Sequence, residues 1–181
     1  PGVDVAERPA TPLIGRGAEL AALQLRYRQA FSEHAVQLVT VLGEPGVGKS
    51  RLVREFAAMV DAQSELVAWR GGRCLSFGET LAFWPLGEIV KAQAGILESD
   101  GPREGAAKLD TSVAAVTGDS SEREWLKARL APLVGLATGA EASASRGESF
   151  MAWRRFLHLV AAQRPLILVI EDLHWARPAL L

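Results

Sequence analysis

The stretch VTVLGEPGVGKSRLVREF, residues 39–56, decides the fold class of this chain. Its centre, residues 43–50, matches the pattern G-x-x-x-x-G-K-[ST] and ends in Lys49 and Ser50. Glycines at positions 43, 46 and 48 allow backbone conformations that are closed to residues with a Cβ, so successive N–H groups can point inward around a phosphate. The octet is therefore predicted to be a phosphate-binding loop, and the dipole of the following helix adds positive charge to it.

The segments around the octet fit this prediction. VQLVTVL, residues 36–42, is a β-branched apolar run typical of a strand covered on both faces. Apolar residues recur at helical spacing after the octet, and ELVAWR, residues 65–70, is predicted to be the next strand. Strand, loop, helix and strand in this order predict a βαβ unit with a parallel sheet. From Glu19, a separate helix of about 15 residues is predicted by its apolar spacing.

A third buried strand is predicted at LILVIED, residues 166–172, and it ends in two carboxylates, Glu171 and Asp172. Adjacent acids at the end of a buried strand are costly unless they meet a cation or solvent. A carboxylate in this position is the second half of a phosphate-loop site, where it faces the metal together with the Ser50 hydroxyl. Successive strand residues face opposite sides, so one acid is expected at Mg²⁺ and the other is free to polarise the attacking water.

The rest of the chain is less regular. Residues 1–12 hold three prolines and are predicted to be an extended lead-in to a domain that spans residues 13–181. Small and polar residues dominate 99–122 and 135–149, which are predicted to be surface connections. Three more helices are predicted: one from near Pro85, one over residues 122–134, and one from Phe150 to Pro165.

Composition limits the classes of function. Twenty basic and 21 acidic residues leave a net charge near zero, so the chain has no global attraction to nucleic acid or to an anionic membrane. Its 181 residues, 49% of them apolar, favour one globular domain. Cys74 is the only cysteine and has no internal disulfide partner, which favours a reducing, cytoplasmic location. No apolar run is long enough for a membrane span.

Four stretches together resemble the AAA ATPase domain found in bacterial regulators: PLIGRGAELAAL, GEPGVGKSRLVREF, GRCLSFGETLAFWPL and AWRRFLHLVAAQRPLILVIEDLHWARPALL. The resemblance is to the origin-recognition-complex-like AAA family that overlaps the STAND class of signalling ATPases. It implies a three-layer α/β/α P-loop NTPase fold of the additional-strand type, with ATP and Mg²⁺ as ligands. It also implies an attached output domain, either a class III cyclase or a LuxR-type DNA-binding domain, with a homo-oligomer as one possible assembly. The near-zero net charge and the lack of a long apolar run predict no direct nucleic-acid or membrane contact by this segment.

Site residues are carried over from the family motif by motif. Residues 43–50 resemble Walker A and residues 166–172 resemble Walker B. In the family's pattern Lys49 reaches the β and γ phosphates, Ser50 and Glu171 take Mg²⁺ positions, and Asp172 takes the water-activating position beside the metal. The implied nucleotide contacts are Gly43, Glu44, Pro45, Gly46, Val47, Gly48, Lys49, Ser50 and Arg51, with Gly15 and Arg16 at the adenine end.

One departure from the family concerns hydrolysis. Walker B usually ends in Asp-Glu, whereas this chain has Glu171-Asp172, and Asp172 is one methylene shorter than glutamate. Two alternatives stay open: a module that hydrolyses ATP slowly and acts as a switch, and a scaffold that binds nucleotide without hydrolysis. A P-loop small-molecule kinase is less favoured because no basic lid is evident, and the missing N-K-x-D signature argues against a GTPase.

The family's sheet order, 5-1-4-3-2, also leads to an expectation. The strand between the phosphate-loop strand and the Walker B strand comes later in sequence, and so do the sensor and arginine-finger residues. Since the sequence stops at Leu181, these parts are expected beyond it. A piece with such unpaired strand edges is expected to fold poorly by itself.

Overall fold

The computed structural model describes residues 14–63, 66–76, 83–136, 146–176 and 180. The chain divides into two compact units at the boundary between Val67 and Ala68. The predicted limits at residues 12 and 13 fall outside the described residues, so the domain boundaries stay a prediction. No helix in the described ranges is long and apolar enough to cross a membrane.

The first unit contains two helices, α1 (Gly17–Glu33) and α2 (Lys49–Asp61), and both confirm the helices predicted there. The apolar face of α2 is buried at Leu52, Phe56, Ala57 and Val60. Tyr27 of α1 packs edge-on against Phe56, with ring centroids 6.0 Å apart. Aromatic packing of this kind holds the two helices together around a small core.

The prediction of a strand at residues 36–42 is wrong. These residues are irregular, and Val36 and Leu38 are 88% and 91% exposed. In the described residues no strand pairs with this segment, and a run of apolar residues gains neither ladder hydrogen bonds nor a covered face without a neighbour. The predicted βαβ unit around the glycine-rich loop is therefore not formed either.

The second unit carries the sheet of the described residues, two parallel strands named β1 (Ala68–Arg73) and β2 (Leu166–Glu171). Their register runs from Ala68 beside Leu166 to Arg73 beside Glu171. β1 begins three residues later than the predicted strand, and β2 matches its prediction except that Asp172 lies outside it. The predicted α/β class with a parallel pairing is confirmed at this level.

Four helices lie between the two strands in the sequence: α3 (Trp84–Ala94), α4 (Pro102–Ala114), α5 (Ser120–Leu130) and α6 (Arg146–Gln163). A short 3₁₀ helix, Ala131–Val134, follows α5. The helices predicted near Pro85, over residues 122–134 and from Phe150 onward are confirmed, with the last beginning earlier. Residues 137–145 of the predicted second connection lie outside the described residues.

The prediction that residues 99–122 form a surface connection is wrong, because α4 and the start of α5 lie there. The apolar signal of α4 is sparse, since Leu109 and Val113 at i and i+4 are its buried large residues. Ion pairs also join α4 to α5, since Asp110 lies 2.6 Å from Arg123 and 2.8 Å from Lys127.

The core of this unit lies among α3, α4, α5 and α6. Its fully buried side chains include Leu86, Ile89, Leu126, Leu130 and Phe156. Helix α3 also packs closely on β1, because a Cβ at Gly72 would overlap the backbone carbonyl of Pro85. This close approach brings the first turns of α3 to the carboxyl end of β1, next to the end of β2.

Candidate nucleotide-binding site

The glycine-rich loop, residues 43–50, turns from the irregular segment into α2. Gly46 and Gly48 have φ values of 83° and 94°, a region that residues with a side chain rarely adopt. A Cβ on either residue would meet no atom within 4 Å. Glycine is therefore needed here for backbone conformation, and the space beside the loop is open.

Lys49, the first residue of α2, folds back over this loop. Its Nζ donates to the carbonyl oxygens of Gly43 at 2.8 Å and Glu44 at 2.9 Å. An ammonium group has three donors, so one N–H of Lys49 is left over. The lysine charge is thus held at the loop by the loop's own backbone.

Backbone donors complete the loop. Within residues 14–63 the N–H groups of Gly46 and Gly48 donate to no backbone acceptor. The N–H groups in the first turn of α2, including that of Ser50, have no intrahelical acceptor because of their position. Several donors and a positive helix end therefore lie together with the Lys49 ammonium.

Arg16 reaches the same loop from the start of α1. Its Nη2 donates to the Val47 carbonyl at 3.0 Å, and its Nη1 pairs with Oε1 of Glu19 at 2.7 Å. This hydrogen bond from Arg16 lowers the pKa of the Glu19 carboxyl. Gly15, with φ 75°, makes the turn that precedes Arg16. The structure thus brings the predicted Gly15-Arg16 pair next to the glycine-rich loop.

In the second unit, Glu171 and Asp172 lie at the carboxyl end of β2. Nη2 of Arg73 is 2.5 Å from Glu171 Oε2, and Nε of Arg73 is 3.5 Å from Asp172 Oδ2. The hydrogen bond that Arg73 donates to Glu171 and the negative charge of that carboxylate raise the pKa of Arg73, and the charge of Asp172 adds to this effect. The backbone N–H of Arg73 donates to Oε2 of Glu88 on α3 at 2.7 Å.

The side chains of Glu171 and Asp172 do not point to opposite faces of the sheet, as those of successive strand residues would. Asp172 has φ 58° and ψ 39°, a left-handed conformation that aspartate tolerates better than most residues. It ends β2 and starts the 3₁₀ turn Leu173–Trp175. Both acids therefore approach the same guanidinium, contrary to the expectation of opposite faces.

Arg73 and Glu88 were missed as site residues by sequence reasoning. Arg73 does not belong to a sequence motif with a known function, and its partner Glu171 lies 98 positions away in the chain. The one available signal was the GRCLSFGE stretch, which contributes to the family resemblance and contains Arg73. Contacts between parallel strands join residues distant in sequence, so single-sequence patterns do not reveal them.

A family model described as "AAA ATPase domain" matches residues 12–181, nearly the whole chain. The chain belongs to the AAA ATPase domain family. No curated protein and no solved structure gives a significant match. Membership supports an AAA-type P-loop α/β domain that binds nucleotide, and AAA domains generally bind ATP with Mg²⁺.

The glycine-rich loop of this AAA domain presents hydrogen-bond donors that could hold a phosphate group. The N–H groups of Gly46 and Gly48 donate to no backbone acceptor within residues 14–63, and Lys49 has a third donor beside the open space at the glycines. These donors suit an anion of high charge. A neutral ligand would leave the lysine and the helix end without a counter-charge. The donor set therefore agrees with the phosphate chemistry of the family.

Candidate Mg²⁺ ligands in the AAA domain are few and are all oxygen donors. Among the described residues no group of three or more His, Cys, Asp or Glu side chains could hold a metal. Mg²⁺ bound with a nucleotide needs only one or two carboxylates, because phosphate oxygens and waters complete its shell. Glu171 and Asp172 of the second unit are donors of that kind, and the exposed Ser50 of the first unit offers a hydroxyl oxygen.

Proposed function

We propose that this chain is the ATP-binding module of a signalling or transcription regulator, that it hydrolyses ATP slowly, and that its nucleotide state controls an attached output domain. The observation that carries the proposal is the glycine-rich loop, where Lys49 donates to the carbonyls of Gly43 and Glu44 beside N–H groups that have no backbone acceptor within residues 14–63. Family membership supports nucleotide binding. The regulatory role rests on the resemblance to regulator ATPases.

In this proposal the nucleotide contacts are residues 43–51, with Gly15 and Arg16 beside them. Lys49 places its charge on the β and γ phosphates, and its two backbone bonds hold the ammonium group at the loop beforehand. The Ser50 hydroxyl is an Mg²⁺ ligand. Bound Mg²⁺ supplies charge neutralisation to the transferred phosphoryl group.

Glu171 and Asp172 divide the remaining roles. We assign Glu171 to Mg²⁺ and Asp172 to the attacking water, since the family's Walker B places the water-activating acid last. Asp172 is shorter than the usual glutamate, and it lies in a left-handed turn rather than in the strand. Both features support slow turnover, which suits a switch.

The proposal includes the finer fold assignment, a three-layer α/β/α sheet of the additional-strand type. In that order, 5-1-4-3-2, the second strand lies next to the Walker B strand. The parallel pairing of β1 with β2 supports this order.

Nucleotide binding is tested by isothermal titration calorimetry of the protein with ATP and Mg²⁺. We expect wild type to bind and Lys49→Ala to lose at least tenfold in affinity, because a charge-assisted contact is lost. Arg54→Ala is the matched control, since it removes one exposed positive charge from the same helix. Equal affinities in wild type and Lys49→Ala would remove the glycine-rich loop from the proposal.

A second candidate function is a scaffold that binds nucleotide without hydrolysing it. The reversed acid order and the pairing of both acids with Arg73 favour it. Phosphate release from ATP by wild type and by Asp172→Asn distinguishes the two functions. Asparagine tolerates the left-handed conformation, so the variant keeps the turn. Release by wild type above the variant supports the ATPase, and equal background release supports the scaffold.

A further inference from the structure

We propose that Arg16 is a positioning residue of the glycine-rich loop: its guanidinium fixes the peptide between Val47 and Gly48 and thereby aims the Gly48 N–H. This inference rests on the proposed binding of a triphosphate by the loop. It differs from the role implied by the family resemblance, which places Arg16 at the adenine end of the nucleotide.

The contact itself is a bridge between a helix and the loop. Nη2 of Arg16 donates to the Val47 carbonyl at 3.0 Å, although 31 positions separate the two residues. Arg16 directly precedes α1, and its Nη1 lies 2.7 Å from Oε1 of Glu19 in the first turn of that helix. The fork of the guanidinium thus joins the loop to a rigid element through two separate donors.

Peptide planarity transmits the effect of this bond. The Val47 carbonyl and the Gly48 N–H belong to one peptide unit, and in a trans peptide they point in opposite directions. The described chain has no cis peptide. Holding the carbonyl toward Arg16 therefore points the Gly48 N–H to the side away from Arg16, where it has no backbone acceptor.

This peptide needs an external restraint because glycines flank Val47 on both sides. Glycine populates positive and negative φ with similar ease, so the unit between Val47 and Gly48 can rotate at small cost. The loop's own bonds restrain it little: Lys49 holds the carbonyls of Gly43 and Glu44, and the Val47 N–H reaches Glu44 at a long 3.4 Å. Among the described hydrogen bonds, the donor to the Val47 carbonyl is Arg16, so the restraint on this peptide comes from α1.

The test compares two ligands, ATP and inorganic tripolyphosphate, which has no base. We expect Arg16→Ala to weaken both by the same factor, roughly three- to tenfold, as suits one exposed charge-assisted hydrogen bond. A contact with adenine would weaken ATP alone, and that result would overturn the inference. Arg28→Ala is the matched control, because it removes an exposed arginine from α1 and should leave both affinities unchanged.

The role of Glu19 is tested through a double-mutant cycle. Glu19→Ala removes the anchor of Arg16, so we expect a smaller loss of affinity for both ligands than in Arg16→Ala. The double variant should lose no more than Arg16→Ala, because the two residues act through one contact. Additive losses would show that Glu19 acts independently and would contradict the proposed chain of contacts.

A measurement without ligand separates failure of this inference from failure of the proposed function. The ¹⁵N relaxation of the Gly46 and Gly48 amides reports the mobility of the loop, and we expect their order parameters to fall in Arg16→Ala. Arg16→Lys keeps the charge but cannot serve Glu19 and Val47 with one planar fork, so it should restore order only in part. Unchanged order parameters would overturn the inference, whereas absent ATP binding in wild type would overturn the function.

Discussion

Nη2 of Arg73 lies 2.5 Å from Oε2 of Glu171, although the two residues are 98 positions apart in the chain. They form the last pair in the parallel register of β1 and β2, so the sheet itself places them side by side. Asp172 follows at 3.5 Å from the same guanidinium. One arginine therefore neutralises part of the charge on both acids proposed to serve Mg²⁺ and water.

Replacing Arg73 by alanine is expected to strengthen Mg²⁺ binding. A positive charge near a metal site in high dielectric contributes repulsion on the order of 1 kcal/mol, which corresponds to roughly fivefold in affinity. The measurement is the Mg²⁺ concentration that gives half of the maximal ATP affinity, and it should fall in Arg73→Ala. The difference should shrink at high ionic strength, because salt screens exposed charges.

The control for this experiment is Arg103→Ala, which removes an exposed arginine from α4 in the same unit. It should leave the Mg²⁺ dependence unchanged. An Arg73→Ala protein with the wild-type Mg²⁺ dependence would mean that Arg73 and the metal do not compete for the carboxylates. The ion pair would then be a structural contact only.

Gly72→Ala is expected to destabilise the second unit. A Cβ at this position would overlap the Pro85 carbonyl, which belongs to the backbone and cannot move without shifting α3. Overpacking of this kind typically costs about 1–3 kcal/mol. Urea denaturation should show the loss, while Gly118→Ala, where a Cβ meets nothing within 4 Å, should show little change. Equal stabilities of the two variants would contradict the close packing of α3 on β1.

The pairing of Asp110 with Arg123 and Lys127 makes stability depend on pH. Hydrogen bonds from these two residues lower the pKa of the Asp110 carboxyl below its unfolded value. The folded state therefore binds this proton less readily, so the contribution is present above about pH 4 and is lost as pH falls through the folded pKa. The stabilities of wild type and Asp110→Asn should differ at pH 7, and the difference should shrink as the pH falls below about 4. A constant difference over that range would exclude the ion pairs as its source.

Local patterns determined what could be predicted from this sequence. The glycine-rich loop, α2 and the acid pair were predictable because their signals lie within a few consecutive residues. The helix α4 was missed because Leu109 and Val113 are set among alanine and charged residues, so its apolar stripe is narrow. Its stability comes from packing against neighbours that no local window contains.

Pairing partners could not be predicted in the same way. Residues 36–42 have the composition of a buried strand, but a strand exists only with a neighbour, and none pairs with them in the described residues. The role of Arg73 depends on the register between β1 and β2, which joins positions far apart in the chain. In both cases the local sequence shows which structure or contact a residue can form, but the partner that it needs lies elsewhere in the chain.

Gly48→Ala is the sharpest test of the loop conformation. Gly48 has φ 94° and precedes α2, and a Cβ there would meet no atom within 4 Å, so the cost of alanine is conformational strain alone, about 1–2 kcal/mol. We expect a lower melting temperature and weaker ATP binding, because the loop must strain or change shape. Gly17→Ala is the matched control: it also meets nothing, has no left-handed φ, and begins α1, where alanine favours the helix. If Gly48→Ala melted and bound ATP like wild type, the loop would not need its left-handed residue, and this conformation would not be the one that binds nucleotide.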